Sequence, residues 1–311
     1  MSQDSQPASG GQSAPGAQPA SGGQPASGAQ PASGVGEQSP SGSPNPPIED
    51  ANSGGIDDEQ AKRVVRKRSY GRTASDLRPI EIEPGFVRTA SGSALISMGE
   101  TRVICTASAQ EGVPRWMAGK GRGWLTAEYG MLPASTGDRK ARDISKGRLD
   151  GRSVEIQRLI GRSLRVIIDL SLLGERTIYL DCDVLQADGG TRCASITGAY
   201  VALALACQWL QSKERIERSP LTGSIAAVSC GIVAGAAMLD LDYGEDSNAE
   251  VDANVVMTGE GGLVEVQATA ERTPLSRASL DELLALAADG IGELRAVQER
   301  VLAGVLSAGG S

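Results

Sequence analysis

Between Ala194 and Leu210 the chain runs for seventeen residues without a charge, with mostly apolar side chains on every helical face. A helix with no polar stripe has no side to offer water, so other elements must enclose it. The flanking segments Thr177–Leu185 and Ile225–Ala234 are short, β-branched and apolar, and they read as strands. A buried helix between strand groups restricts the fold to layered sheets and helices. No run of 18 or more uninterrupted apolar residues occurs, so a membrane-spanning segment is not expected.

The remaining elements follow the two regular periods. Arg78–Glu83, Gly85–Thr89, Ser93–Ser97 and Thr101–Ala109 predict an antiparallel opening sheet. Glu111 to Gly151 is rich in Gly, Arg and Lys and predicts a loop, interrupted by the more apolar Gly123–Leu132. From Arg152 onward, Ile156, Leu159, Ile160, Leu164 and Ile167 step by three and four, a helix whose other face carries Arg158, Arg162 and Arg165. Val251–Met257 and Leu263–Gln267 predict strands, and an amphipathic helix follows from Leu280 to about Leu306. Strand groups separated by single helices define an α+β fold.

The folded part is expected to begin near Ala61. Upstream, Gln-Pro-Ala-Ser-Gly recurs from Gln6, Gln18, Gln24 and Gln30, with a degenerate copy from Gln12. Units without a large apolar side chain cannot offset backbone entropy of about 1–2 kcal/mol per residue, so residues 1–60 are expected to be a disordered tail and 61–311 the folded part. The tail holds seven acids and no Lys or Arg, so the chain's net charge of −8 leaves −1 for the body. Within the body, residues 61–176 carry 22 Lys plus Arg against 12 Asp plus Glu, and residues 177–311 carry 8 against 19. That segregation suits a polyanion on one patch and a cation within another, or is surface variation alone.

The chain has no His, which excludes Ser-His-Asp and Cys-His nucleophile pairs and imidazole acid–base steps. An aromatic content of 3% argues against stacking successive bases on several rings. Cys105, Cys182, Cys193, Cys207 and Cys230 lie far apart and fit buried thiols in a reducing compartment better than a zinc site or disulfide framework. The N-terminus lacks the basic-then-apolar order of a signal peptide, so a soluble, cytoplasmic protein is expected.

Three constellations carry chemistry. Gln186-Ala187-Asp188-Gly189-Gly190-Thr191-Arg192 joins a strand to the apolar helix and offers an anion site: two glycines for close approach, a helix N-terminus, a hydroxyl and a guanidinium. Arg139-Lys140-Ala141-Arg142-Asp143-Ile144-Ser145-Lys146-Gly147-Arg148 is a basic stretch suited to backbone contacts with a polyanion, and Arg152 opens a helix where a cation opposes the dipole unless it serves a bound anion. Six acids between Asp240 and Asp252 would repel one another unless some bind a cation or keep protons, which favours a Mg²⁺ site of the phosphoryl-transfer kind. The alternatives are an ordinary strand-to-helix turn, a solvated basic loop and a solvated acidic hairpin. Arginines for phosphate beside carboxylates for Mg²⁺ point to phosphoryl or nucleotidyl transfer.

At these residues the chain resembles ribonuclease PH, a phosphate-dependent exoribonuclease family that trims tRNA 3′ ends. The likeness runs from about Arg68 to about Leu306. It is carried by Leu77-Arg78-Pro79, Gly123-Trp124-Leu125-Thr126-Ala127-Glu128-Tyr129, Ser145-Lys146-Gly147, the stretch Gly151-Arg152 to Gly161-Arg162, the stretch Asp181-Cys182-Asp183 to Thr191-Arg192, and Glu250-Val251-Asp252. The chain departs at Ala134, where many relatives have Arg, at Tyr70, where Asp is usual, and in its repetitive tail.

The resemblance implies two similar α+β halves, each like ribosomal protein S5 domain 2, and a homohexameric ring built as a trimer of dimers. It implies that Arg152, Gly190, Thr191 and Arg192 hold inorganic phosphate as co-substrate, that Asp246 and Asp252 serve Mg²⁺ and the leaving group, and that Arg139, Arg142 and Lys146 contact the tRNA. The implied reaction is phosphorolysis, in which phosphate takes the terminal nucleotide from a tRNA precursor or other RNA 3′ end as a nucleoside 5′-diphosphate. Two other classes remain beside it: a non-catalytic RNA-binding subunit of an exosome-like ring, and a metal-dependent nuclease that uses water.

Overall fold

The computed structural model describes residues 68–142, 147–148, 150–271 and 274–308. The expected disordered tail, residues 1–60, and Lys146 lie outside the described residues.

The first half is a five-stranded sheet in the order β1-β2-β3-β5-β4, made of β1 (Ile80–Pro84), β2 (Gly92–Met98), β3 (Thr101–Glu111), β4 (Trp124–Met131) and β5 (Arg176–Gln186). Its first three strands pair antiparallel, as expected, and β3 pairs antiparallel with β5. The apolar interruption at Gly123–Leu132 becomes β4, which lies parallel to β5. A parallel neighbour needs a crossover, and α1 (Gly151–Arg165) supplies it. The second half is an antiparallel sheet in the order β7-β6-β8-β9, from β6 (Ile225–Val233), β7 (Ala236–Leu239), β8 (Val251–Thr258) and β9 (Leu263–Ala270). These are two α+β halves.

The apolar stretch is α2 (Thr191–Ser212), and it lies against β2 and β3 of one sheet and β6 of the other. Its length and hydropathy would suffice to cross a bilayer, but 89% of that apolar window is buried within the protein. Close approach requires Gly198, where a Cβ would stand 2.7 Å from Ile96 Cγ2 and 2.8 Å from Cys105 Sγ. One continuous core results, joining Ile96, Val103, Leu180 and Leu203 to Val228, Val255 and Leu283. The last helix, α4 (Arg277–Ala308), closes over β6, β7 and β1. All five cysteines are buried and unbridged, and burial pushes the Cys207 and Cys230 thiols up to about 12.

Two local expectations need correction. Gly85–Thr89 is the hairpin connection between β1 and β2, not a strand: Gly85 has φ +73°, its N–H donates to Ser93 O at 2.8 Å, and Ser93 Oγ accepts from Val87 N–H at 2.8 Å. The acidic segment is not all loop, because Tyr243–Asp246 winds into a one-turn helix, α3, closed by a capping box between Asp242 and Glu245.

Candidate active site

The segment between β5 and α2 turns through two left-handed glycines, Gly189 (φ +75°) and Gly190 (φ +66°). A Cβ on Gly189 would sit 2.4 Å from Leu241 O, so a side chain there would push the acidic segment away. Thr101 locks the turn, its Oγ1 accepting from Asp188 N–H at 2.9 Å and donating to Gly189 O at 2.7 Å. The first intrahelical bond of α2 runs from Ala194 N–H to Gly190 O, which leaves the N–H groups of the first turn for another acceptor. Thr191 Oγ1 meets the buried Tyr129 hydroxyl at 2.9 Å. Burial raises the Tyr129 phenol, opposed by the Thr191 hydrogen bond and by the charges of Arg152 and Arg192.

Four acids of the acidic segment have partners within the protein, most of them arginines. Asp240, buried and held at φ +49°, accepts from Arg78 N–H at 2.8 Å, Nε at 3.0 Å and Nη2 at 2.7 Å. Arg78 Nη1 also donates to Asp188 O, which ties the acidic segment to the glycine turn. Glu245 takes Arg68 Nε at 2.7 Å and Nη2 at 3.0 Å, and Arg72 Nη2 at 3.3 Å. Asp242 caps α3 and accepts from Ser69 Oγ at 2.8 Å, while Glu250 accepts from Gly235 N–H at 2.9 Å. The repulsion expected among six acids is thus confined to the pair Asp246 and Asp252.

That pair is drawn together, Asp246 from the end of α3 and Asp252 from the start of β8. Burial first, then the charge and hydrogen bond of Asp246, push Asp252 up to about 6, against the pull of Arg192 and Arg152. Among the described residues no group of three or more His, Cys, Asp or Glu gathers to hold a metal. Two carboxylates do fit Mg²⁺, which is commonly held by one or two carboxylates with water and substrate phosphate completing the octahedron. A carboxylate pushed up by its twin is also what a divalent cation would relieve.

A cleft of about 630 Å³ opens at this point, lined by Arg152, Gly189, Gly190, Thr191, Asp246 and Lys140 among others. Arg152 reaches it from the first turn of α1, where a cation otherwise opposes the helix dipole. Arg192 stands next to Thr191, its Nη1 donating to Gln267 Oε1 at 2.8 Å. The structure therefore brings together Arg152, Gly190, Thr191, Arg192, Asp246 and Asp252, from segments up to 100 residues apart in the sequence. Arg139 and Arg142 are exposed on the loop beside the cleft, and Lys140 of the same loop is tied to Asp150 at 3.3 Å. Tyr129, Arg78 and Gln267 are parts of the site that residue patterning missed. The alternation of Leu125, Ala127 and Tyr129 along β4 could have placed Tyr129 indoors; no local signal pairs Arg78 with Asp240.

A glycine turn at a helix N-terminus, Arg152 and Asp246 thus line one cleft, with Arg192 and Asp252 close beside it. Models of the 3′ exoribonuclease family match the chain twice, domain 1 over residues 76–207 and domain 2 over residues 223–290. The chain belongs to this family, the ribonuclease PH-type 3′ exoribonucleases.

Solved structures agree on the fold. An Archaeoglobus fulgidus exosome with RNA bound to the active site is similar with a TM-score of 0.63 and 23% identity, over 76% of this chain and 97% of that one. Rice (Oryza sativa) Rrp46 is similar with a TM-score of 0.61 and 18% identity, over 75% and 98%. An archaeal exosome core is similar with a TM-score of 0.60 and 22% identity, over 78% and 93%.

Proposed function

We propose that this protein is a phosphorolytic 3′–5′ exoribonuclease that trims the 3′ ends of tRNA precursors in the cytoplasm, working as a homohexameric ring. The observation that carries the reading is the convergence of Arg152, Thr191 and the Gly189–Gly190 turn on the cleft walled by Asp246, with Arg192 next to Thr191 and near Asp252. Inorganic phosphate binds there through the N–H groups of α2 and the two guanidiniums, which offset its repulsion from the RNA phosphodiester. A phosphate oxygen bonds to the terminal phosphorus, the bond from that phosphorus to the 3′-oxygen breaks, and a nucleoside 5′-diphosphate leaves with the RNA one nucleotide shorter. The departing 3′-oxygen needs a proton. The resemblance gives the leaving group to Asp246 and Asp252 together, and Asp252 is pushed upward by burial and by its twin, so the proton is assigned to the coupled pair. Mg²⁺ held by Asp246 and Asp252 would supply stabilisation of charge developing at the reacting phosphate. Because a phosphoanhydride replaces a phosphodiester, the step reverses with nucleoside diphosphate.

Arg139 and Arg142 are well placed to meet the RNA backbone beside the cleft, and the RNA-bound Archaeoglobus relative supports RNA as the polymer. The exosome-core likeness supports ring assembly. A non-catalytic ring subunit would not need the arginines and carboxylates to converge, and their convergence favours the enzyme. Arg192→Ala is expected to lower phosphorolysis about a hundredfold or more while leaving the ring intact by sedimentation. Unchanged activity in that variant would remove the assigned role, and a wild-type protein inert with phosphate would favour the non-catalytic subunit.

A further inference from the structure

Arg192 is the second residue of α2 and only partly buried, so its long side chain has many rotamers open to it unless something fixes its direction. One residue does so from the other half of the protein. Gln267 on β9 places its Oε1 2.8 Å from Arg192 Nη1. Its Nε2 donates in turn to Glu155 Oε1 on α1, at 2.9 Å. We propose that Gln267 is a positioning residue that holds the Arg192 guanidinium at the edge of the cleft, beside Thr191 and near Asp252, with Glu155 fixing which way its amide faces. This inference rests on the phosphate role given to Arg192 above.

The donor and acceptor chemistry permits one arrangement. An ionised carboxylate only accepts, so Gln267 must turn its NH₂ toward Glu155 and is left with its carbonyl for Arg192. The carbonyl takes one of the five N–H bonds of the guanidinium and leaves the others for an anion. An amide also orients the arginine without cancelling its charge. A carboxylate at this position would instead pair with Arg192 and compete with phosphate for it.

Glu155 does not undo this by its own charge, because Arg162 lies nearby. The Arg162 guanidinium is held first by Glu265, at 2.8 Å and 2.5 Å, and also feels Glu155. Glu265 and Gln267 share one face of β9 at the two-residue strand period, and Glu155 and Arg162 are two turns apart on α1. Strand and helix therefore meet in register, Glu265 on Arg162 and Gln267 on Glu155. The phosphate arginine of the first half is aimed only when the second half is docked on it.

Inorganic phosphate binding to the full-length protein, measured by titration calorimetry, tests this directly. Gln267→Leu is expected to weaken phosphate about tenfold, as is typical for a lost hydrogen bond to a charged group. Gln267→Glu, which keeps size and an acceptor, should lose at least as much. In an Arg192→Ala background, Gln267→Leu should add no further loss, because it acts through that arginine. With RNA as substrate, Gln267→Leu should raise the phosphate KM while kcat at saturating phosphate and the RNA KM stay within about twofold of wild type. The proposal is overturned if Gln267→Leu binds phosphate like wild type, if its loss multiplies with that of Arg192→Ala, or if wild type binds no phosphate. A wild type that binds phosphate with this coupling yet shortens no RNA would uphold the positioning role and sink the exoribonuclease reading alone.

Discussion

Replacing Asp252 with Asn is the perturbation whose size the site fixes most directly. Burial and the neighbouring Asp246 carboxyl hold Asp252 at about 6, against an ordinary value of 3.8. The native protein therefore binds this proton between about pH 4 and pH 6, where the unfolded chain has released it. Stability from this group is fully present below about pH 4 and is lost as pH rises through about 6. Each tenfold change in proton affinity is worth about 1.4 kcal/mol, so ionising Asp252 costs the native state about 3 kcal/mol above pH 7. Solvent in the open cleft screens part of that, leaving about 2 kcal/mol. Asparagine keeps the shape and loses the charge. In chelator-treated buffer at pH 8, Asp252→Asn should thus melt about 4–8 °C above wild type, followed by circular dichroism, and the gain should vanish near pH 4. Added Mg²⁺ should raise the melting temperature of wild type and leave the variant unmoved. A variant no more stable than wild type at pH 8, or equally stabilised at pH 4, would refute the reasoning.

Other outcomes follow from the same geometry. Asp240→Ala leaves the buried Arg78 guanidinium without its carboxylate and should cost about 3–5 kcal/mol in urea unfolding; an unchanged midpoint would show that the pair does not hold the acidic segment in place. Tyr129→Phe removes the hydroxyl partner of Thr191 and should raise the phosphate KM about three- to tenfold, with no change expected in RNA affinity. Arg139→Ala combined with Arg142→Ala should weaken RNA binding and flatten its salt dependence by roughly one log unit per log unit of salt for each lost phosphate contact, and an unaltered slope would take those residues off the RNA path.

The sequence made some parts of this molecule plain because their signal is local. A helix apolar all round, Ala194–Leu210, has only one place to be, and it lies between the sheets. The glycine pair before Thr191 announced a tight turn into a helix N-terminus because φ values and helix ends are properties of adjacent residues. The acidic segment was harder to read. Its charge suggested shared repulsion, yet Asp240, Asp242 and Glu245 are matched by Arg78, Arg72 and Arg68, partners more than 160 residues away. Gly85–Thr89 resembled a strand through Phe86 and Val87, but the side chain of Ser93 turns the chain there. Gln267 carried no local sign of its role, since the role consists of contacts to Arg192 on α2 and Glu155 on α1.

The central claim is that phosphate, not water, takes the terminal nucleotide. It is tested most directly by incubating the protein and Mg²⁺ with a tRNA precursor carrying extra 3′ nucleotides, with and without inorganic phosphate, and identifying the products. Nucleoside 5′-diphosphates released only when phosphate is present are the predicted result. Monophosphates released in its absence, or no product under either condition, would contradict it.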